Sequence, residues 1–443
     1  MNRRHFLQAT AGSLLLPATL IPAPMLAADP PRLFPPKRTK PATRKVAVIA
    51  STYYYLSHAY HICGRLLDGY FKGKAYHFPE IGIASMWVEQ ISANNLSKSV
   101  CHDYGIRDCA NIEEALTLGT GKLAVDGVLL ICEHGDYPTN AKGQKLYPRY
   151  EMFQKIVQVF EKVGKSVPVF CDKHLSYDRK RGFEMVATAK KMGFGLFAGS
   201  SLPVTWREPE LELPVGVPLE EAVVVTRGDR EIFGIHGLEA LQCMVERRKP
   251  GQQGVRSVQA IEGDAVWKAG MDGRFSLELV EHAIGRSPSR NVGDIRTNTK
   301  QYRPLIHNSY DKQLPEEGPL AFCIEYRDGL KATLLFANGH VDDTTFAGRV
   351  KGQKTIPSTH FFLPPPPGAA FLEALTSHVE TFILTGKPPY PVERTLLTGG
   401  ILDWALESRV QGGKKLETTD LDVQYDPPAD SGFMRGSYAN PVQ

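Results

Sequence analysis

The chain has 443 residues, 42% of them hydrophobic and 23% charged, with a formal net charge of +4. That length can hold two domains, each with its own core, and the composition is ordinary for a globular protein. So small a charge is no footprint for nucleic acid or an anionic membrane, and partners of those kinds are excluded.

Residues 1–28 read as an export signal. Arg3 and Arg4 precede His5, Phe6 and Leu7, an apolar stretch runs through Leu14, Leu15, Leu16, Leu20 and Ile21, and small residues follow at Ala27 and Ala28. The adjacent arginines resemble a twin-arginine signal, which implies passage through the twin-arginine translocase and a periplasmic or otherwise exported protein. Pro17, Pro22 and Pro24 break the apolar run short of a bilayer span, so no membrane anchor is expected after the signal is removed; an uncleaved anchor is the competing reading. Seven cysteines form no CxxC pair, which argues against a disulfide framework. A proline-rich linker, 29–43, follows.

Folding is expected to begin at Lys45, where KVAVIA reads as a buried strand. The next stretch, STYYYLSHAYHICGRLLDGY, has its first glycine at Gly64, and Tyr53, Tyr54 and Tyr55 fill the turn where a dinucleotide-binding chain places G-x-G-x-x-G. Ser57 is placed to cap a helix carrying Ile62, Leu66, Leu67 and Tyr70, with His58 in its first turn facing the site. A second strand, 83–88, ends at Glu89, positioned for a ribose hydroxyl pair. Short helices are expected at 93–104 and 112–118. Two further apolar runs, 125–132 and 167–171, flank a helix with Phe153, Ile156, Val157, Phe160 and Val163 at helical spacing. Each run ends in ionisable residues: Glu133, His134 and Asp136 after the first, Asp172, Lys173 and His174 after the second. A strand, a helix and a strand make a right-handed parallel crossover, whose carboxyl ends are where open α/β sheets bind ligands. A helix at 178–192 and the strand GLFAG complete a Rossmann-like, doubly wound parallel sheet over 44–202.

Beyond Pro203 the pattern changes. Strands at 222–226, 258–262, 321–326 and 330–336, with an RDG hairpin turn between the last two, predict a second α+β domain over 203–416 with a mostly antiparallel sheet. Helices at 369–384 and 392–410 are expected to pack back across the domains, ahead of a C-terminal tail, 417–443.

This order of elements resembles the glucose-fructose oxidoreductase, inositol dehydrogenase and MocA family, whose members join a Rossmann domain to an antiparallel sheet and oxidise or reduce sugars and cyclitols with NAD or NADP. VDGVLLICEHGDYP stands where that family has a strand ending in a T-P-x-x-x-H loop. VFCDKHLS stands where it has E-K-P, so Lys173 matches the lysine near the nicotinamide and the reacting hydroxyl. FGIHGLEALQ resembles the D-x-G-x-H segment, so His236 matches the histidine proton carrier, although Ile232 occupies the aspartate position. The resemblance implies Lys173 and His236 as catalytic residues, a carbohydrate substrate, tightly held NAD or NADP near Ser57, His58, Glu89, Glu133, His134 and Asp172, and a homo-oligomer. Ser200, Ser201 and Trp206, at the crossing into the second domain, are candidates for binding a sugar. His58, His134, Asp136 and His174 offer an alternative ligand set for a divalent metal such as Zn or Mn, although they form no HxH or HxxxH. Three functions are therefore open: a sugar oxidoreductase, a redox-independent and possibly metal-assisted lyase, hydratase or epimerase on the same scaffold, and a non-catalytic sugar-binding protein.

Overall fold

A computed structural model describes residues 38, 40–72, 75–303, 318–436 and 438. The expected signal, and the linker apart from its last residues, lie outside them.

The first strand, β1 (Arg44–Ala50), is buried at every position from Val46 onward, as a central parallel strand must be. Helix α1 (His58–Asp68) is capped by Ser57, whose side chain accepts from the Tyr60 amide. It ends two residues earlier than expected, because Gly69 takes a φ of 77° and turns the chain into the hairpin β2 (Tyr70–Lys72) and β3 (Ala75–His77). Then follow β4 (Ile81–Val88), α2 (Ser97–Tyr104), β5 (Arg107–Asp108), α3 (Ile112–Thr117), β6 (Gly127–Ile131), α4 (Arg149–Val163), β7 (Val169–Asp172), α5 (Arg179–Met192) and β8 (Leu196–Gly199). Helix α2 starts later than expected because residues 92–95 form a turn whose Asn95 bridges Tyr54.

Six of these strands form a parallel sheet in the order β5-β4-β1-β6-β7-β8. This is the doubly wound order, and its direction reverses between β1 and β6, which opens a crevice at the carboxyl ends of those strands.

The rest of the chain supplies β9 (Trp206–Glu208), β10 (Leu219–Thr226), α6 (Ile232–Val245), β11 (Val255–Glu262), α7 (Asp264–Met271), α8 (Leu277–Ile284), α9 (Ile295–Gln301), β12 (Leu320–Tyr326), β13 (Lys331–Phe336), β14 (Thr344–Val350), β15 (Ser358–Phe362), α10 (Phe371–Thr385), α11 (Glu393–Val410) and β16 (Leu416–Glu417). Its eight-stranded sheet runs β16-β11-β12-β13-β10-β14-β15-β9, antiparallel except where β10 pairs with β13. The RDG turn closes the β12–β13 hairpin, with Gly329 at a φ of 94°.

Three elements tie the two sheets together. Helix α10 lies against α1 and the parallel sheet, and α11 runs along α5, α6 and β11. Arg394 of α11 fixes α6 through Glu246, with Nε 2.9 Å and Nη2 2.5 Å from the carboxylate, both side chains being buried. The chain after β16 continues this packing with Leu421, Val423, Tyr425 and Phe433 buried. All seven cysteines are free and buried. Among the described residues no helix is long and apolar enough to cross a membrane.

The approach of α10 to the parallel sheet is close enough to test. A Cβ at Gly195 would stand 2.6 Å from the Gly386 carbonyl oxygen and 2.9 Å from the Phe382 ring. Gly195→Ala should therefore cost about 1–3 kcal/mol of stability by overpacking, measured as a lower urea midpoint at unchanged slope.

Candidate active site

The node of the site is Glu133, which follows β6. Ser51, just past β1, places its Oγ 2.9 and 3.0 Å from the carbonyl oxygens of Glu133 and His134, so the ends of adjacent strands are pinned together. The Glu133 carboxylate is buried between two cations. Lys173 Nζ donates to Oε1 at 2.7 Å, and Arg149, from the first turn of α4, donates to Oε2. Burial alone would raise the Glu133 pKa, but Lys173 and Arg149 outweigh it and hold the carboxyl well below the usual range. His134 and Lys173 both have left-handed backbones, with φ of 68° and 62°. Such conformations cost about 1–3 kcal/mol each in a non-glycine residue and gather at functional sites.

The second group comes from β8 and α6. Ser200 Oγ lies 2.5 Å from His236 Nδ1 and accepts from the Leu202 amide at 3.1 Å. The hydroxyl hydrogen is thus placed to point at Nδ1, which leaves the ring proton on Nε2. Burial first, then the positive charge of Lys173, lowers the His236 pKa well below its ordinary value, so the ring is neutral at working pH. Asp229 precedes the same helix and accepts from the amides of Glu231 at 2.8 Å and Ile232 at 2.7 Å. Burial raises its pKa to about 6, against the pull of those amides and of Lys173. Lys173, His236 and Asp229 are therefore electrostatic neighbours with divergent protonation, the pattern that separates acids from bases at a site.

A third group is organised by Asp172 and Glu231. His58 Nδ1 lies 2.6 Å from Asp172 Oδ2, and its ring meets that of His134 edge-on at 5.3 Å. His174 is buried, with Nε2 3.3 Å from Glu231 Oε1, and burial, then Arg149, lowers its pKa. The expected metal ligands are thereby split: His58 is turned to Asp172, His174 to Glu231, and Asp136 is exposed with its backbone held by Gln90. No three His, Cys, Asp or Glu side chains among the described residues converge as a metal site, which corrects the metal alternative.

The residues expected to hold a dinucleotide do not fit one in the usual manner. A pyrophosphate needs open amides and a bare backbone at the start of α1. Here Ser57 Oγ takes the amides of Tyr54 at 3.2 Å and Tyr60 at 3.1 Å. Leu56, not glycine, has a φ of 67°, Tyr53 is buried, and the Tyr54 ring sits 5.7 Å from that of His134. Glu89, placed for a ribose, accepts instead from the Tyr137 hydroxyl.

Of the sugar-binding candidates, Ser200 enters the site through His236. Ser201 is buried at the start of a short 3-10 turn. Trp206 is 6% exposed in the edge strand β9, its ring 5.1 Å from that of Tyr438, and offers no free face to a sugar. Sequence reasoning missed Asp229, Glu231 and Arg149. Asp229 stands where R-G-D-R-E precedes an apolar helix, a capping signal that was there to be read. Arg149 and Glu231 left no local signal, because their partners lie far away in the chain.

No sequence-family model and no curated protein matches the chain. Solved structures do. The chain is similar to GenD2 from gentamicin A biosynthesis, crystallised in complex with NAD, at a TM-score of 0.53 and 12% identity over 86% of this chain and 98% of that one. It is similar to an oxidoreductase from Agrobacterium radiobacter in complex with NAD+, L-tartaric acid and magnesium, at a TM-score of 0.50 and 12% identity over 84% of this chain and 98% of that one. A doubly wound parallel sheet joined to a mostly antiparallel one is thus the fold this chain shares with these two structures.

Proposed function

We propose that this protein is an enzyme of the dehydrogenase fold that acts on a sugar, cyclitol or related polyhydroxylated small molecule by proton transfer, as a lyase, hydratase or epimerase. The observation that carries this reading is Asp229, its pKa raised to about 6, beside a positively charged Lys173 and a neutral His236. In the proposed reaction the Asp229 carboxylate takes a proton from the carbon next to a carbonyl. The developing oxyanion is held by the Lys173 ammonium and the Nε2 proton of His236. Protonation of the planar enolate on its opposite face by a water molecule, whose hydroxide then takes the proton held by Asp229, gives epimerisation. Loss of a neighbouring hydroxyl as water, protonated by the Asp229 carboxylic acid just formed, gives dehydration.

The test is exchange in D2O with a panel of keto sugars, ketocyclitols and sugar acids, followed by proton NMR. Deuterium should enter at one substrate carbon. A panel in which the enzyme exchanges none, yet turns one member over, would remove the proton-transfer reading. A second reading, hydride transfer on a tightly held NAD or NADP, is favoured by the NAD named in the complexes of both structural neighbours. The N-terminal segment supports export by the twin-arginine route, which a reporter fused to residues 1–28 would check by its location.

A further inference from the structure

Beside the Asp229 turn, on the antiparallel half of the molecule, lies a cavity of about 530 Å³ whose lining includes Arg227, Gly228, Arg290, Asn338, His340 and Asp342. We infer that this cavity holds an anionic group of the substrate, a carboxylate or a phosphate, on Arg227, Arg290 and the Nε2 proton of His340. The inference rests on the proton-transfer reading for its choice of substrate, and it is carried by three observations on the cavity itself.

The first is His340, a side chain only 1% exposed. Asn298 Nδ2 donates to His340 Nδ1 at 2.9 Å and to the Val292 carbonyl at 2.8 Å, so the Asn298 nitrogen is oriented unambiguously and Nδ1 is an acceptor. The ring proton is therefore on Nε2, and that buried donor has no hydrogen-bond partner. Buried donors are rarely left so, and His340 is part of the cavity wall.

The second is charge. Arg290 is exposed and makes no ion pair among the described residues. Arg227 lies 4.5 Å over the Phe233 ring and meets Asp342 at 3.1 Å, but the Asp342 side chain is 77% exposed, so that pair is weak and easily exchanged. Among the side chains lining the cavity, two guanidinium groups stand against the one carboxylate of Asp342. Guanidinium groups bind carboxylate and phosphate by paired, charge-assisted hydrogen bonds.

The third is position. Arg227, Gly228 and Asp229 are consecutive: the first two line the cavity and the third is the proposed base. Asn338 clamps this turn by accepting from the Gly228 amide at 2.6 Å and donating to its carbonyl at 3.1 Å. Two residue steps span at most about 7 Å, the length of a sugar ring with one exocyclic group. A sugar whose reacting carbon meets Asp229 can thus place a terminal anion in the cavity.

The experiment is calorimetric titration of the full chain with D-glucose, D-glucuronate and D-glucose 6-phosphate. At least one charged sugar should bind about tenfold or more tightly than glucose, and the advantage should shrink with added salt. Preference for glucuronate identifies a carboxylate site, and preference for the phosphate ester a phosphate site. Arg290→Gln, a surface change that does not threaten folding, should bring the ratio close to one, and Arg227→Gln should reduce it as well. Equal binding of all three sugars, no binding of either anion, or a ratio unmoved by Arg290→Gln would overturn the inference. Failure here is distinguishable from failure of the proton-transfer reading. Anion preference without deuterium exchange removes only the reaction, and exchange on uncharged sugars without anion preference removes only this subsite.

Discussion

Replacing Glu133 by alanine should lower the free energy of unfolding by about 3–5 kcal/mol, the cost of leaving buried cations without their counter-ion. Lys173 and Arg149 both end on this carboxylate, and all three side chains are at most 4% exposed, so water cannot replace what is lost. Glu133→Gln keeps the shape and one acceptor but not the charge, and should fall between alanine and the wild type. The effect should also depend on pH with a definite sign. Because the folded-state pKa of Glu133 is depressed, its contribution is present above the unfolded value of about 4.3 and is lost as pH falls through the lower folded value. Denaturation curves of wild type and Glu133→Gln should therefore converge in acid. Curves separated equally at every pH would show that the buried ion pairs do not carry the stability assigned to them.

Asp229→Asn should lower kcat/KM by about 10²- to 10⁴-fold, the usual contribution of a general base. The amide still accepts hydrogen bonds from the Glu231 and Ile232 amides, so α6 keeps its cap and the variant should fold normally. The wild-type rate should rise with pH through about 6 and level off above it, because the base must be deprotonated and its pKa is held near that value. His236 adds no limb near neutrality, since it is already neutral there. The asparagine variant should lose the limb near 6 along with the rate. A full rate with the same limb would assign the titration to another group.

The parallel sheet was legible because β1, β6 and β7 lie in short apolar runs, a pattern that burial on both faces imposes, and the last two of them end abruptly in charge. The strand-end residues Glu133, Asp172, Lys173 and His174 were legible for the same reason. What they do there was not, because each is defined by a partner remote in sequence: Glu133 by Arg149 and Lys173, His174 by Glu231, His58 by Asp172. A row of histidines and carboxylates at strand ends suggested a metal, whereas His58 is turned to Asp172 and His174 to Glu231, and no shared centre forms among the described residues. Trp206 was a sugar-binding candidate only through its neighbouring hydroxyls, which carry no sign of which way it faces, and the edge of the second sheet buries it. The helices α7, α8 and α9 were missed because each has only seven or eight residues, too few for a helical period to stand out. Strand β5 has only two residues, too few to form a pattern at all.

The most direct test of the account is mass spectrometry of the small molecules released when freshly purified protein is denatured, together with calorimetric titration by NAD and NADP. With Ser57 taking the Tyr60 amide at the start of the helix and tyrosines filling the turn, the account predicts no stoichiometric dinucleotide and no saturable binding of either. One equivalent of NAD or NADP per chain would contradict it and make the site one of hydride transfer.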